Sequence, residues 1–175
     1  MRAILFAIAI LFALAPTGAL AQQSDFDVAT ETSMRIGQSY FEAYIERDWD
    51  RLEPMLADDV VFQDTTAKYL FGGQPQEGKA TLAAFFRTAY AGISRMEFTP
   101  SRSFASSDTA VFEGMLDWDV DMGGGRIVST SMPFVVILAL RDGKIVSHRD
   151  FADYRPFLDA NAASLAKVGS TKAAD

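Results

Sequence analysis

The chain has 175 residues and a formal net charge of −7; 49% of the residues are apolar, 22% are charged and none is cysteine. That is enough for one domain with a packed core, and it excludes disulfides, cysteine nucleophiles and cysteine–zinc sites. An acidic chain without a basic stripe argues against nucleic acid as a partner and gives no attraction to an anionic membrane.

The first residues read as an export signal. Arg2 precedes an unbroken apolar run from Ala3 to Ala15, and Pro16 and Gly18 are expected to break any helix. Ala19-Leu20-Ala21 then puts small residues where a signal peptidase reads. The expectation is a signal peptide over 1–21, a domain over 22–160 and a flexible tail over 161–175, in a secreted or periplasmic protein. The run is shorter than the ~20 apolar residues of a spanning helix, so no stable membrane anchor is expected. With no cysteine after the cleavage point, a lipid anchor is not expected either.

Ser24 to Arg47 reads as a helix with Ile36, Tyr40, Phe41, Tyr44 and Ile45 on one stripe. Gly37 weakens it by about 1 kcal/mol relative to alanine. A short second helix is expected with Asp50 as its N-cap, followed by a strand at Val60–Phe62. Asp64 to Gln76 reads as an irregular loop, and Lys79 to Tyr90 as a helix with Leu82, Phe85, Phe86, Ala89 and Tyr90 on one face. Strands follow at Met96–Phe104, Thr109–Asp121, Arg126–Leu140 and Lys144 to about Tyr154. Pro133 suggests a bulge and Asp142-Gly143 a hairpin turn. After Leu158 the chain is expected to fray. Helices first and an antiparallel meander afterwards predict an α+β fold, three helices packed on a curved, mainly antiparallel sheet.

Two stretches resemble known families. Tyr40 to Asp64, with Ala57-Asp58-Asp59-Val60 inside it, is similar to the start of ketosteroid isomerases; Asp142 to Phe151 resembles the last hairpin of limonene epoxide hydrolases and SnoaL-like polyketide cyclases. The resemblance spans Val28 to about Leu158 and implies the nuclear-transport-factor-2-like (NTF2-like) cone, with a pocket inside. It also implies that Asp64 is a general base and that Tyr40 donates to a developing oxyanion. The bland alternatives are a capping aspartate and a core tyrosine. The pattern departs from the isomerases over Phe134–Leu140, which holds no second aspartate. It departs from the epoxide hydrolases too: Asp150 matches one aspartate and Asp117 or Asp119 another, but Met115 or Asp117 stands where arginine is required.

His148, the one histidine, shares a face of the last strand with Asp150. It reads either as an acid–base group or as a satisfied wall histidine. The expected catalytic set is Asp64, Tyr40, His148 and Asp150, with Phe62, Tyr69, Phe86, Met115 and Asp117 around the substrate. Glu113, Met115, Asp117, Asp119 and Asp121 alternate with Phe112, Leu116, Trp118 and Val120, and the resemblance turns the carboxylate face into the cone. The apolar face would then pair with a second subunit, giving a homodimer through Trp118. No cofactor or metal is called for. The functional expectation is a cofactor-independent isomerase, cyclase or lyase acting on a small hydrophobic substrate; the alternative is a non-catalytic exported protein that binds a small hydrophobic ligand.

Overall fold

The structure is a computed structural model that describes residues 17–172, with side chains described from 25 to 167. The apolar run Ala3–Ala15 lies outside the described residues. Helix α1 runs from Thr17 to Glu46; Gly18 lies inside its first turn rather than breaking it, and the expected cleavage point after Ala21 falls within it. Tyr40, Phe41, Ala43 and Tyr44 form its buried stripe. Gly37 has a packing reason: a Cβ there would stand 2.8 Å from the Ala110 Cβ, so its absence lets α1 settle on the sheet.

Helix α2 spans Trp49–Leu52 and runs into a 3-10 turn at Glu53–Met55. Its cap is Asp48, whose carboxylate accepts from the Arg51 amide, and not Asp50. Strand β1 (Leu56–Asp64) is longer than expected. The expected loop after it contains a helix, α3 (Thr65–Phe71), ended by Gly72 at φ 76°. Asp64 supplies the N-cap that starts it, and glycine without a Cβ penalty supplies the left-handed stop. Strand β2 (Gln76–Glu77) and helix α4 (Lys79–Ala89) follow.

Strands β3 (Ile93–Ser106), β4 (Thr109–Asp121), β5 (Ile127–Arg141) and β6 (Lys144–Ala152) form the meander. Asp142 and Gly143, at φ 51° and 72°, make the predicted two-residue turn. Pro133 does not bulge: β4 and β5 pair without interruption past Met115↔Pro133. The Pro133 carbonyl accepts from the Asp153 amide at 3.0 Å, just past the end of β6, so the missing proline N–H falls where that ladder has stopped. The irregularities of the meander lie elsewhere: in β3 between Ile93 and Arg95 and between Pro100 and Arg102, and in the pairing of β5 with β6 between Ala139 and Leu140. The chain after Leu158 is not frayed but belongs to helix α5, Arg155–Lys172, which packs on β5.

The six strands lie in the order β2-β1-β6-β5-β4-β3, with β1 and β6 parallel and the other pairs antiparallel. The sheet is open, not closed into a barrel, and α1 packs on β3 and β4 while α4 packs on β1. This is the α+β NTF2-like cone. Among the described residues no helix is long and apolar enough to cross a membrane.

One expectation about β4 is reversed. Ala110, Phe112 and Leu116 are buried, with Trp118 half-buried beside them, while Met115 is 39% exposed. The apolar face is therefore the inner one, and the carboxylate face looks outward. Met115 and Asp117 are not pocket residues, and Asp119 forms a bidentate pair with Arg95 on the outside (2.9 and 3.0 Å). The face carrying Trp118 packs against the protein's own helices, Phe112 on Phe41 of α1 and Trp118 on Phe157. Burial of apolar area decides the phase, since one face of an antiparallel sheet commonly packs on the core.

Candidate functional site

Parallel pairing of β1 with β6 sets Phe62 beside His148 and Asp64 beside Asp150. All four side chains turn toward the helices, but they divide into two groups.

The deeper group is a closed hydrogen-bond network. Tyr40 Oη lies 2.8 Å from His148 Nδ1, and His148 Nε2 lies 2.5 Å from Asp150 Oδ1. The Tyr44 hydroxyl donates to Asp150 Oδ2 at 2.9 Å and sits 2.6 Å from the Tyr90 hydroxyl. With a neutral imidazole and an ionised Asp150, one set of donors satisfies the whole network. Tyr90 donates to Tyr44, Tyr44 to Asp150, Tyr40 to Nδ1, and the Nε2–H to Asp150. Tyr40 and His148 are fully buried, and Tyr44 and Asp150 nearly so. Burial first, and then the nearby Asp150 charge, pushes the Tyr40, Tyr44 and Tyr90 hydroxyls well above the usual tyrosine range. Phe62 packs edge-on against His148 (ring centroids 4.9 Å apart) and Phe86 lies at 6.3 Å. These two phenylalanines fill the interior rather than rim an opening.

The shallower group is at the mouth. Asp64 is half-buried; its Oδ1 accepts from the Ala67 amide at 2.7 Å and its Oδ2 from the Tyr154 hydroxyl. Burial raises the Asp64 carboxyl above the ordinary carboxylate value, the nearby Asp150 adds to the rise, and the two hydrogen bonds oppose it. Asp64 is therefore both the cap of α3 and an inward carboxylate with neutral partners. Tyr154 is held edge-on by Phe71 (5.4 Å) and lies 6.1 Å from the Trp118 ring. Tyr69, expected at the substrate, stands 83% exposed at the tip of α3.

The structure thus joins Tyr40, His148 and Asp150 by direct bonds and sets Asp64 next to them without one. Five clefts found among the described residues have other linings, and none of the five includes Tyr40, Asp64, His148 or Asp150. The most apolar, about 310 Å³, lies between α1 and β3 over Phe41, Phe98 and Phe112. Among the described residues no three His, Asp or Glu side chains are grouped to hold a metal ion. Sequence reasoning missed Tyr44, Tyr90 and Tyr154 as site residues. Tyr44 had a signal, one turn past Tyr40 on the same stripe; Tyr154 had none, because its role depends on where the chain goes after β6.

Comparison with known proteins agrees with this fold. The profile of the SnoaL-like domain matches residues 38–148. No curated protein matches the sequence. Among solved structures, a protein assigned as a SnoaL-like polyketide cyclase from Shewanella denitrificans superposes with a TM-score of 0.67 at 20% identity, over 75% of this chain and 97% of that one. An LEH-like epoxide hydrolase from M. tuberculosis gives 0.60 at 18% identity, over 81% and 98%. An NTF2-like protein of unknown function from Burkholderia pseudomallei gives 0.62 at 22% identity, over 74% and 96%. At these identities the likeness is one of fold.

Proposed function

Because the chain belongs to the SnoaL-like domain family, we propose that it is an exported, cofactor-independent acid–base enzyme of the isomerase, cyclase or lyase kind, acting on a small apolar substrate at the mouth of the cone. The observation that carries this reading is Asp64: an inward, half-buried carboxylate, its proton affinity raised by burial, whose hydrogen-bond partners are an amide and a tyrosine hydroxyl. Such a group accepts a proton from carbon and gives it back, because neither state is locked by a cation. Tyr154 orients the carboxylate. The Tyr40–His148–Asp150 network is the rigid floor behind it, with its donors already spent on one another.

The test needs no known substrate. The mature chain is incubated in D₂O with a panel of small apolar ketones, and deuterium uptake at the carbon beside the carbonyl is read by mass spectrometry. Asp64→Asn should lower the exchange rate by roughly 10²–10⁴-fold and leave ligand binding in place. Equal exchange by wild type and variant refutes the assignment.

A second reading, an exported protein that binds a small hydrophobic ligand without turnover, draws support from the complete burial of His148 and Tyr40. It expects binding without exchange in the wild type. Export rests on the sequence of residues 1–21; Edman sequencing of the exported chain should begin at Gln22, and an intact Met1 in a membrane fraction would count against it.

A further inference from the structure

The cleft between α1 and β3 shares no lining residue with the Asp64 or Asp150 hydrogen-bond groups. Its floor is aromatic. Phe41 of α1 and Phe112 of β4 stack with centroids 4.6 Å apart, and the Phe98 ring of β3 meets Phe41 edge-on at 4.8 Å. Bare backbone at Gly114 makes room for that ring, because a Cβ there would stand 2.7 Å from Phe98 Cζ. The volume, about 310 Å³, is at the small end of ligand pockets, which run to about 1,000 Å³.

The rim is charged with one sign. Gln38, Glu42 and Glu46 follow at four-residue spacing on α1 and stand along one edge of the cleft. Glu46 is paired with Arg51 at 3.0 Å. Glu42 accepts from the neutral Gln38 amide at 3.0 Å, and among the described residues no cation stands within ion-pair distance of it. The described lining holds no lysine or arginine.

Strand β3 explains the missing cation. Side chains alternate along a strand, so unbroken pairing would carry residue 102 to the face that Phe98 and Pro100 turn toward α1. The register slips between Pro100 and Arg102: Pro100 pairs with Gly114, but Ser103 and not Arg102 pairs with Phe112. The extra residue turns Arg102 to the outer face, where its Nε donates to Glu113 at 3.0 Å, and gives the inner place to Ser103. A bulge therefore keeps a guanidinium out of an aromatic cleft whose rim carboxylate lacks a counter-charge. Ring faces attract cations, a carboxylate forms a strong bond to a charged N–H donor, and the net charge of −7 draws cations toward the protein.

We propose that the α1–β3 cleft is a binding site for a small hydrophobic ammonium ion, its apolar body over Phe41, Phe98 and Phe112 and its charged head on Glu42. The site stands apart from Asp64 and does not depend on that group being a base.

Three probes share one body and differ in charge: phenylbutylammonium, phenylbutanol and phenylbutyrate. Binding of each to the full mature chain is measured by titration calorimetry. Wild type should prefer the ammonium ion over the alcohol by about 5-fold, with the carboxylate weakest, and added salt should narrow the preference. Glu42→Gln should weaken the ammonium ion by about 3–5-fold and leave the alcohol unchanged. Ser103 is exposed, so Ser103→Lys should fold as wild type; it restores the cation that the bulge removes, and should weaken the ammonium ion by about 5-fold while improving phenylbutyrate. Asp64→Asn should change none of the three. No ammonium binding, or an alcohol bound as tightly, overturns the site. So does ammonium binding indifferent to both Glu42→Gln and Ser103→Lys, or weakened by Asp64→Asn as much as by Glu42→Gln, which would place the ligand at the mouth. Self-association abolished by Ser103→Lys, with no ammonium binding, gives the cleft to a second copy instead. Each of these failures leaves the deuterium-exchange test of Asp64 untouched.

Discussion

Replacing Asp150 by alanine should cost much of the protein's stability, and it removes the nearby charge that adds to the rise at Asp64. The Asp150 carboxylate accepts from His148 Nε2 at 2.5 Å and from the Tyr44 hydroxyl at 2.9 Å. Alanine leaves both donors buried with no acceptor, since His148 is 0% and Tyr44 1% exposed. Each orphaned group costs about 1–3 kcal/mol, so the pair amounts to about 2–6 kcal/mol. A domain of this kind is stable by about 5–15 kcal/mol in total, which makes the loss easy to see. Tyr40→Phe should cost less, about 1–3 kcal/mol, because only His148 Nδ1 loses its donor. The two changes act on opposite nitrogens of one ring, so they should not add. Once Asp150 is gone, the imidazole can change tautomer and relieve part of the second loss. Urea unfolding of the wild type, both single variants and the double variant measures this as a cycle, with the midpoint moving and the slope held. A coupling energy of at least about 0.5 kcal/mol is expected. The network reasoning fails if Asp150→Ala costs under about 1 kcal/mol, or if the two changes add within about 0.3 kcal/mol.

Asp64 should give stability a pH signature. Burial raises its folded carboxyl above the ordinary 3.8, so the folded state holds the proton more tightly than the unfolded chain. The stability this confers is fully present below pH 3.8 and is lost as pH rises through the raised folded value. Melting temperatures measured across that acidic window should fall more steeply for wild type than for Asp64→Asn; parallel curves would contradict the burial argument. Gly114→Ala should destabilise by about 1–3 kcal/mol, because its Cβ would lie 2.2 Å from the Thr99 carbonyl oxygen and 2.7 Å from Phe98 Cζ. Gly73→Ala, with nothing within 4 Å, should stay within about 0.5 kcal/mol in the same thermal assay.

Much of this molecule is legible from local chemistry. The stripe Tyr40–Phe41–Tyr44 marks α1 because helical spacing gathers those side chains on one face. The Asp142-Gly143 turn places β5 against β6 because both residues tolerate positive φ. Thr109–Asp121 is a strand with the predicted bounds. Alternation along β4 also separates its two faces correctly. What alternation cannot say is which face turns inward. The expectation for Met115, Asp117 and Trp118 has the two sides exchanged for that reason, though the apolar content of the Phe112–Leu116–Trp118 face carries the answer. Asp64 illustrates a second limit. Its position before Thr65-Thr66 fits an N-cap and its place after Val60-Val61-Phe62 fits an inward carboxylate, and the structure makes it both. The remaining decisions were tertiary. The side-chain partners of Asp64 and Asp150 are Tyr154, Tyr44 and His148, and only His148 lies on the same strand as Asp150. Parallel pairing of β1 with β6 brings residues 64 and 150 side by side across 86 positions of sequence. Periodicity reports which way a side chain points within its own element. Which distant donor or carboxylate it meets depends on strand order and register, and those are set by the packing of the whole core.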